Sequence, residues 1–384
     1  MASQKKSTRW LLYIVGATAF LLVLWPLYTA RESLPVASEE NSASTENPEY
    51  LEAVRNETLG VEKVFAINLR SRPDKQDAII LGSSLSGFQV DFIDGVTPDQ
   101  VDPKSYPYKW NYDHKVTEYA ARRAHVNAIQ RVVKDRLGSA IIMEDDSDWD
   151  VGIKVQLQSF AMAVRAIQGT SDRTTASPYG DDWDIHWLGH CGMDCKTGLP
   201  YFLAPNDPTI LPPAHFLPYW RDPPPIGRSD DARLTCIARD AVCSTFYMVS
   251  YRGAQRILAA LSANPVGVAD RVDLGAQFDV SLGRMCGDGY LRCFGVYPAL
   301  MGGYRLGGSP SKGSDINQGG GEPGDNGVVP VSFGVKYSTL LNINRLLNGE
   351  ETVHATWDDL PVPDIKPDDI PAVGGILQVP VLEA

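Results

Sequence analysis

Apolar residues along this chain fall into segments of two distinct periods. Lys63 to Leu69, KVFAINL, is a continuous run rich in β-formers and predicts a buried strand, and Arg72-Pro73-Asp74 then predicts a helix start with proline in its first turn. Gln89 to Ile93 predicts a second strand, closed by Asp94-Gly95. From Thr117, residues Ala121, His125, Ala128, Ile129, Val132 and Val133 recur at helical spacing, and Gly138 is the expected end of that helix. Ser139 to Met143 predicts a short buried strand, and Ile153, Leu157, Phe160, Val164 and Ile167 predict an amphipathic helix. Trp183 to Leu188 and Thr245 to Val249 predict strands, Ser250 a cap for a helix over Gly253 to Leu261, and residues 272 to 285 a further helix. The alternation predicts an α/β fold with a mostly parallel sheet flanked by helices.

The ends of the chain read differently. Residues 10 to 30, WLLYIVGATAFLLVLWPLYTA, carry no charge. As a helix they would be about 31 Å long, which matches the hydrocarbon core of a bilayer. Lys5, Lys6 and Arg9 precede this run and Glu32, Glu39 and Glu40 follow it, so the positive-inside bias predicts a cytoplasmic tail over 1–9, a transmembrane anchor over 10–30 and a lumenal remainder. The competing reading, a cleaved signal peptide, has a shorter apolar region. Residues 31–60, rich in Ser, Glu, Asn and Ala, predict a flexible stem, 61–348 a lumenal domain, and 349–384 a proline-rich acidic tail. Proline interleaved with aromatics over 200–225 and glycine over 302–327 predict long loops.

Composition changes this picture in three places. A formal net charge of −12 argues against a nucleic-acid surface. The 6 cysteines all lie in the expected lumenal part and form no CxxC pair, which predicts disulfides rather than a zinc site and leaves their pairing open. Asn56-Glu57-Thr58 is the sole glycosylation sequon.

The candidate chemistry lies in SAIIMEDDSDWD, residues 139–150, where an apolar strand runs into Glu144, Asp145, Asp146, Asp148 and Asp150. Ligands of open α/β sheets bind beyond the carboxyl ends of strands. Mg2+ or Mn2+ commonly takes one or two carboxylates while a substrate's phosphates supply further oxygens. Glu144, Asp146 and Asp148 are the expected metal ligands. The blander reading of Asp148 and Asp150 is that they complement the dipole of the following helix. Three adjacent carboxylates at 144–146 repel one another unless a cation is near.

These residues resemble glycosyltransferase family 25, which includes lipooligosaccharide and procollagen galactosyltransferases, and look closest to its fungal branch. Ile67-Asn68-Leu69 with Arg72 and Asp74 is similar to the family's INLxxRxDR motif, with Lys75 at the place of the last arginine. Ile141 to Asp146 resembles its strand-EDD motif, Asp184 to Gly189 its WDxxxLG strand, and Tyr247 to Leu258 its YxxSxxGAxxLL segment. The family's GCxxSH region departs here to Ala120 through His125, of which only the histidine matches.

The resemblance implies a GT-A-like fold and an inverting hexosyltransferase of the Golgi or endoplasmic reticulum membrane. It would move a hexose, with galactose the leading choice, from a UDP-sugar held with Mn2+ or Mg2+ to a hydroxyl of a glycan or glycoprotein acceptor. Asn68, Arg72, His125, Glu144, Asp145 and Asp146 are then the expected donor-site residues. Inversion needs one general base, for which Asp279 is the first candidate and Asp273 the second. Arg122 and Arg123 could contact phosphates or simply form a solvated face. Two rival readings stay open: a binding protein of the same fold without turnover, and a two-carboxylate glycoside hydrolase.

Overall fold

The computed structural model describes residues 48–216, 223–308, 314–316, 329–359 and 362–380. The expected tail and anchor, residues 1–30, and the first part of the expected stem lie outside the described residues. Among the described residues no helix is long and apolar enough to cross a membrane.

The chain folds as a mixed α/β structure around a ten-stranded sheet. Strands β1 (Lys63–Asn68), β2 (Asp91–Asp94), β3 (Ser139–Glu144), β5 (Ile185–Gly189), β6 (Met193–Cys195), β7 (Tyr201–Ala204) and β10 (Cys293–Tyr297) all run the same way. Strands β8 (Arg233–Ala241), β9 (Phe246–Ser250) and β13 (Ile376–Gln378) run against them. A second sheet joins β4 (Ser147–Trp149), β11 (Met301–Arg305) and β12 (Val331–Phe333).

The apolar runs are continuous because the central strands are covered on both faces. Phe65, Ile67, Ile142, Trp187 and Tyr247 face one core with helices α3 (Val116–Lys134), α5 (Tyr251–Leu258) and α6 (Phe278–Asp288). Val64, Ala66, Ile141, Met143 and Met248 face the other, with α1 (Glu49–Val54), α2 (Pro73–Leu85) and α4 (Ile153–Gln168). Pro73 occupies the first turn of α2, and the Ser250 hydroxyl accepts from the Gly253 N–H at 3.0 Å to cap α5. Gly253 is needed there, since an added Cβ would lie 2.3 Å from the Asp184 carbonyl just before β5.

Several boundaries shift. α3 stops at Lys134, with Asp135 as its cap, before the expected Gly138. α6 begins at Phe278 instead of 272, because residues 272–277 form a loop held by Arg122. The far end of the expected stem is folded: Leu51, Val54 and Leu59 are buried against α4, and apolar residues of that kind outweigh a polar average composition. The tail is extended and adds β13 to the sheet beside β7. The cysteines pair as Cys191–Cys243, Cys195–Cys236 and Cys286–Cys293.

Candidate active site

The chain leaves β1 for β2 on one side and then crosses to β3 on the other, both parallel to β1. This reversal of direction makes the carboxyl ends of β1 and β3 a topological switch point, the place where open α/β sheets bind ligands. Asn68 ends β1, Glu144 ends β3, and the register Ile67 to Glu144 brings the two ends level.

A cluster of charges fills this position. Lys75, on the first turns of α2, places Nζ 2.9 Å from Asp145 Oδ1, 2.9 Å from Asp315 and 3.4 Å from Asp146. Asn68 donates to the other oxygen of Asp145 at 2.8 Å. Arg305, from β11, donates to Asp146 at 2.9 Å, and Arg72 bridges Asp74 and Asp315. Burial disfavours the charge on Lys75, but three carboxylates outweigh that and raise its pKa. Burial pushes Asp145 up against the pull of Lys75, whereas for Asp146 the effect of burial is outweighed by Lys75 and Arg305, which hold it below the usual carboxylate range. Three cations thus face Asp74, Asp145, Asp146, Asp315 and the adjoining Glu144, an excess of two negative charges.

Glu144 is held from the other side. Its Oε1 accepts from the Ser244 hydroxyl at 3.1 Å and lies 3.4 Å from His125 Nε2. His125 Nε2 is also 3.1 Å from Ser244 Oγ, and Nδ1 is 3.2 Å from the Tyr247 hydroxyl. Burial raises Tyr247 well above the ordinary tyrosine range, so its hydroxyl stays protonated beside His125. Both imidazole nitrogens are matched to hydroxyls, Nδ1 to Tyr247 and Nε2 to Ser244. Phe278 stacks on the imidazole at 4.7 Å and fixes its plane.

Asp279 follows Phe278 at the start of α6 and accepts from the Cys243 N–H at 2.7 Å. Burial raises its pKa, with Glu144 adding to the rise and His125 opposing it, so the group lies within electrostatic reach of both. The Cys191–Cys243 disulfide ties this strand approach to the turn after β5.

Other expected residues lie elsewhere. Asp148 is fully buried and accepts from Ser332, Ser338, Trp149 and Leu340, so it does not join Glu144 and Asp146 as a third ligand. Asp150, also buried, accepts from Gly152 and Tyr337. Asp150 thereby sits on the N-cap amide of α4, as the blander reading expected, whereas Asp148 is turned to β12 and the 338–340 segment. Asp273 forms an exposed pair with Arg284 at 2.6 Å. Arg122 is buried and donates to the Ala276 and Leu274 carbonyls, and Arg123 donates to Asn127. A separate small cleft lined by Asp150, Gln156, Thr209, Arg233 and Lys336 shares none of the cluster's residues.

Among the described residues no three His, Cys, Asp or Glu side chains converge as metal ligands. The donor chemistry fits a smaller demand. Both Asp145 oxygens and one of Asp146 already accept from Asn68, Lys75 and Arg305. The second oxygens of Glu144 and Asp146 remain, a two-carboxylate set of the kind Mg2+ takes when phosphates complete its shell. Lys75, Arg305, Asp315, Ser244 and Tyr247 were not singled out as site residues by sequence reasoning. Two of them carried a signal, Lys75 as the basic residue at the end of the INLxxRxDR-like stretch and Tyr247 as the first residue of the YxxSxxGAxxLL-like segment.

No protein-family model matches the chain, and no curated protein matches it.

Proposed function

We propose that this protein is an inverting glycosyltransferase of the GT-A type that moves a hexose, galactose first among the candidates, from a UDP-sugar to a hydroxyl of a glycan or glycoprotein. The observation that carries this reading is the mixed-charge cluster at the carboxyl ends of β1 and β3. Its cations, Arg72, Lys75 and Arg305, are the groups a diphosphate requires. Its excess of carboxylate asks for a divalent cation alongside. Mn2+ or Mg2+, held by Glu144 and Asp146, would offset charge on the departing diphosphate.

His125, Ser244 and Tyr247 orient Glu144. Asp279, with a pKa raised by burial, takes the proton of the acceptor hydroxyl as its oxygen attacks the anomeric carbon and the bond to UDP breaks. The anchor at 10–30 would hold the domain in the Golgi or endoplasmic reticulum lumen. Three disulfides suit that oxidising compartment, and Asn56 of the sequon is exposed.

One observation favours a second reading, a nucleotide-sugar or glycan-binding protein without turnover: Asp146 is already neutralised by Lys75 and Arg305. A single experiment separates the two. The full chain in detergent is titrated with UDP and then incubated with UDP-hexoses, with and without a chelator. Metal-dependent UDP binding, UDP release from one sugar, and loss of both in Asp146→Asn are expected. Binding without release from any sugar supports the second reading, and equal UDP affinity with and without metal overturns the assigned role of Glu144 and Asp146. Asp279→Asn should leave donor binding intact while lowering turnover by about 10² to 10⁴.

A further inference from the structure

Among the described residues only two Phe, Tyr or Trp rings are exposed, Tyr108 at 47% and Tyr112 at 78%, and they stand on one loop between β2 and α3. An exposed ring costs hydrophobic free energy, and two within five residues form a surface feature. The loop is not loose. Trp110 between them is buried, packed edge-on against Tyr119 at 5.3 Å, and Tyr106 meets Tyr119 edge-on at 4.6 Å and Tyr112 at 5.9 Å. The Tyr119 hydroxyl binds Ser105. The rings are therefore presented by a fixed aromatic base.

Two tethers join this loop to the candidate active site. The backbone at Lys109 lies so close to Gly275 that an added Cβ would sit 1.7 Å from the Lys109 carbonyl, and the Asn111 N–H donates to Gly275. Gly275 is three residues before Phe278, which stacks on His125. On the other flank, the Thr117 hydroxyl donates to the Ile316 carbonyl at 3.0 Å, next to Asp315, which binds Lys75 and Arg72.

We propose that Tyr108 and Tyr112 form a stacking subsite for a pyranose ring of the acceptor. A sugar presents a face of C–H groups that lies on the electron-rich face of an aromatic ring, while its rim of hydroxyls needs polar partners. The loop supplies both, since Asn111, Asp113 and Lys115 are exposed beside the rings. Exposed tyrosine alone would also suit a protein partner. The absence of an exposed aliphatic patch on the same loop, apart from Val116, and its double connection to the carboxylate site favour a small polar ring over a broad apolar interface.

This inference rests on the reading of the site as a glycosyltransferase, and the first readout of its test, binding, is independent of turnover. The full chain is mixed separately with manno-, galacto-, gluco- and chito-hexaose, and binding is followed by saturation-transfer NMR, with UDP titrated in parallel. At least one hexaose should bind. Tyr108→Ala with Tyr112→Ala should weaken it at least about tenfold, whereas Tyr112→Phe should retain it because the stacking face survives, and UDP affinity should be unchanged in all variants. No binding of any hexaose by the parent protein, or equal binding by the double alanine variant, overturns the subsite. Hexaose binding lost in that variant with no UDP-sugar turnover anywhere supports the subsite and sinks the transferase reading. Turnover with unchanged acceptor KM in the double variant does the reverse.

Discussion

Glu144, Asp145 and Asp146 are separated from Asp148 and Asp150 by a single residue, yet the two groups meet opposite partners. The first group faces Lys75, Arg305, Asn68 and the His125–Ser244 pair at the open end of two parallel strands. The second is sealed from solvent and satisfied by hydroxyls and backbone amides. Cationic side chains can exchange a carboxylate for a phosphate, because both are anions. Amides and serines pinned inside the protein have no such alternative. A run of acidic residues thus contains a candidate site and a structural pin side by side, and the kind of donor tells them apart.

The largest effect expected from this contrast is on stability. Asp148→Ala strips acceptors from Ser332, Ser338, Trp149 and Leu340, joining β4 to β12 and to the segment before α7 (Ile343–Leu347). Leaving several buried donors unmade costs about 3 kcal/mol or more, read as a lower denaturation midpoint. Asp146→Asn should cost far less, since Lys75 keeps Asp145 and Asp315. Equal losses in the two variants would erase the distinction.

The pH dependence gives a second, intermediate effect. Burial pushes Asp148 up to about 6 and Asp150 up to about 7, from 3.8 in the unfolded chain. Each folded group keeps a proton that the unfolded chain releases, so their contribution is full below about 4 and is lost as pH rises through the folded values. Burial also lowers His186 far below 6.5 and His190 to about 4, and their contribution is lost as pH falls through that range. Between about 4 and 6.5 the two sets oppose each other and flatten the profile. Asp150→Asn removes one opposing slope of at most about 1.4 kcal/mol per pH unit. Its stability should therefore climb more steeply than the parent's between pH 5 and 6.5 in urea titrations. Parallel profiles would show that Asp150 is ionised in the fold throughout.

Much of the frame was legible because the central strands are buried on both faces. Continuous apolar runs such as Ser139 to Met143 and helical stripes such as Ile153 to Ile167 came within a residue or two of the observed elements. The nine-residue strand β8 was not legible, since Arg233, Thr235 and Arg239 interrupt its apolar pattern. Arg233 is there paired internally with Asp207. The carboxylates were equally visible as a cluster, but nothing in their spacing distinguishes Asp146 from Asp148. That difference is made by Arg305 and Ser338, more than 150 residues away, which long-range strand pairing brings to them. His125 falls in the apolar stripe of its helix, where a buried core residue is expected. It is one, and it also reaches Glu144, because Ser244 ends the loop that the Cys191–Cys243 disulfide fixes.

The smallest effect belongs to a carboxylate in neither group and supplies the baseline. Asp273 pairs with Arg284 where both side chains are about half exposed, at 54% and 43%. Water screens such a pair, and its two long-range charges contribute at most about 1 kcal/mol. Its side chain also accepts from the Gly275 N–H at 3.0 Å, within the loop that leads to α6. Asp273→Asn keeps an oxygen for that amide while removing the charge, so stability should change by less than about 1 kcal/mol and UDP binding not at all. Turnover should stay within about twofold, against the loss of about 10² or more expected for Asp279→Asn. The two aspartates are six positions apart, so the pair measures environment at nearly constant sequence position. A turnover loss in Asp273→Asn as large as that in Asp279→Asn would move the base to the loop, and the contrast between sheltered and exposed carboxylates would no longer sort function from surface.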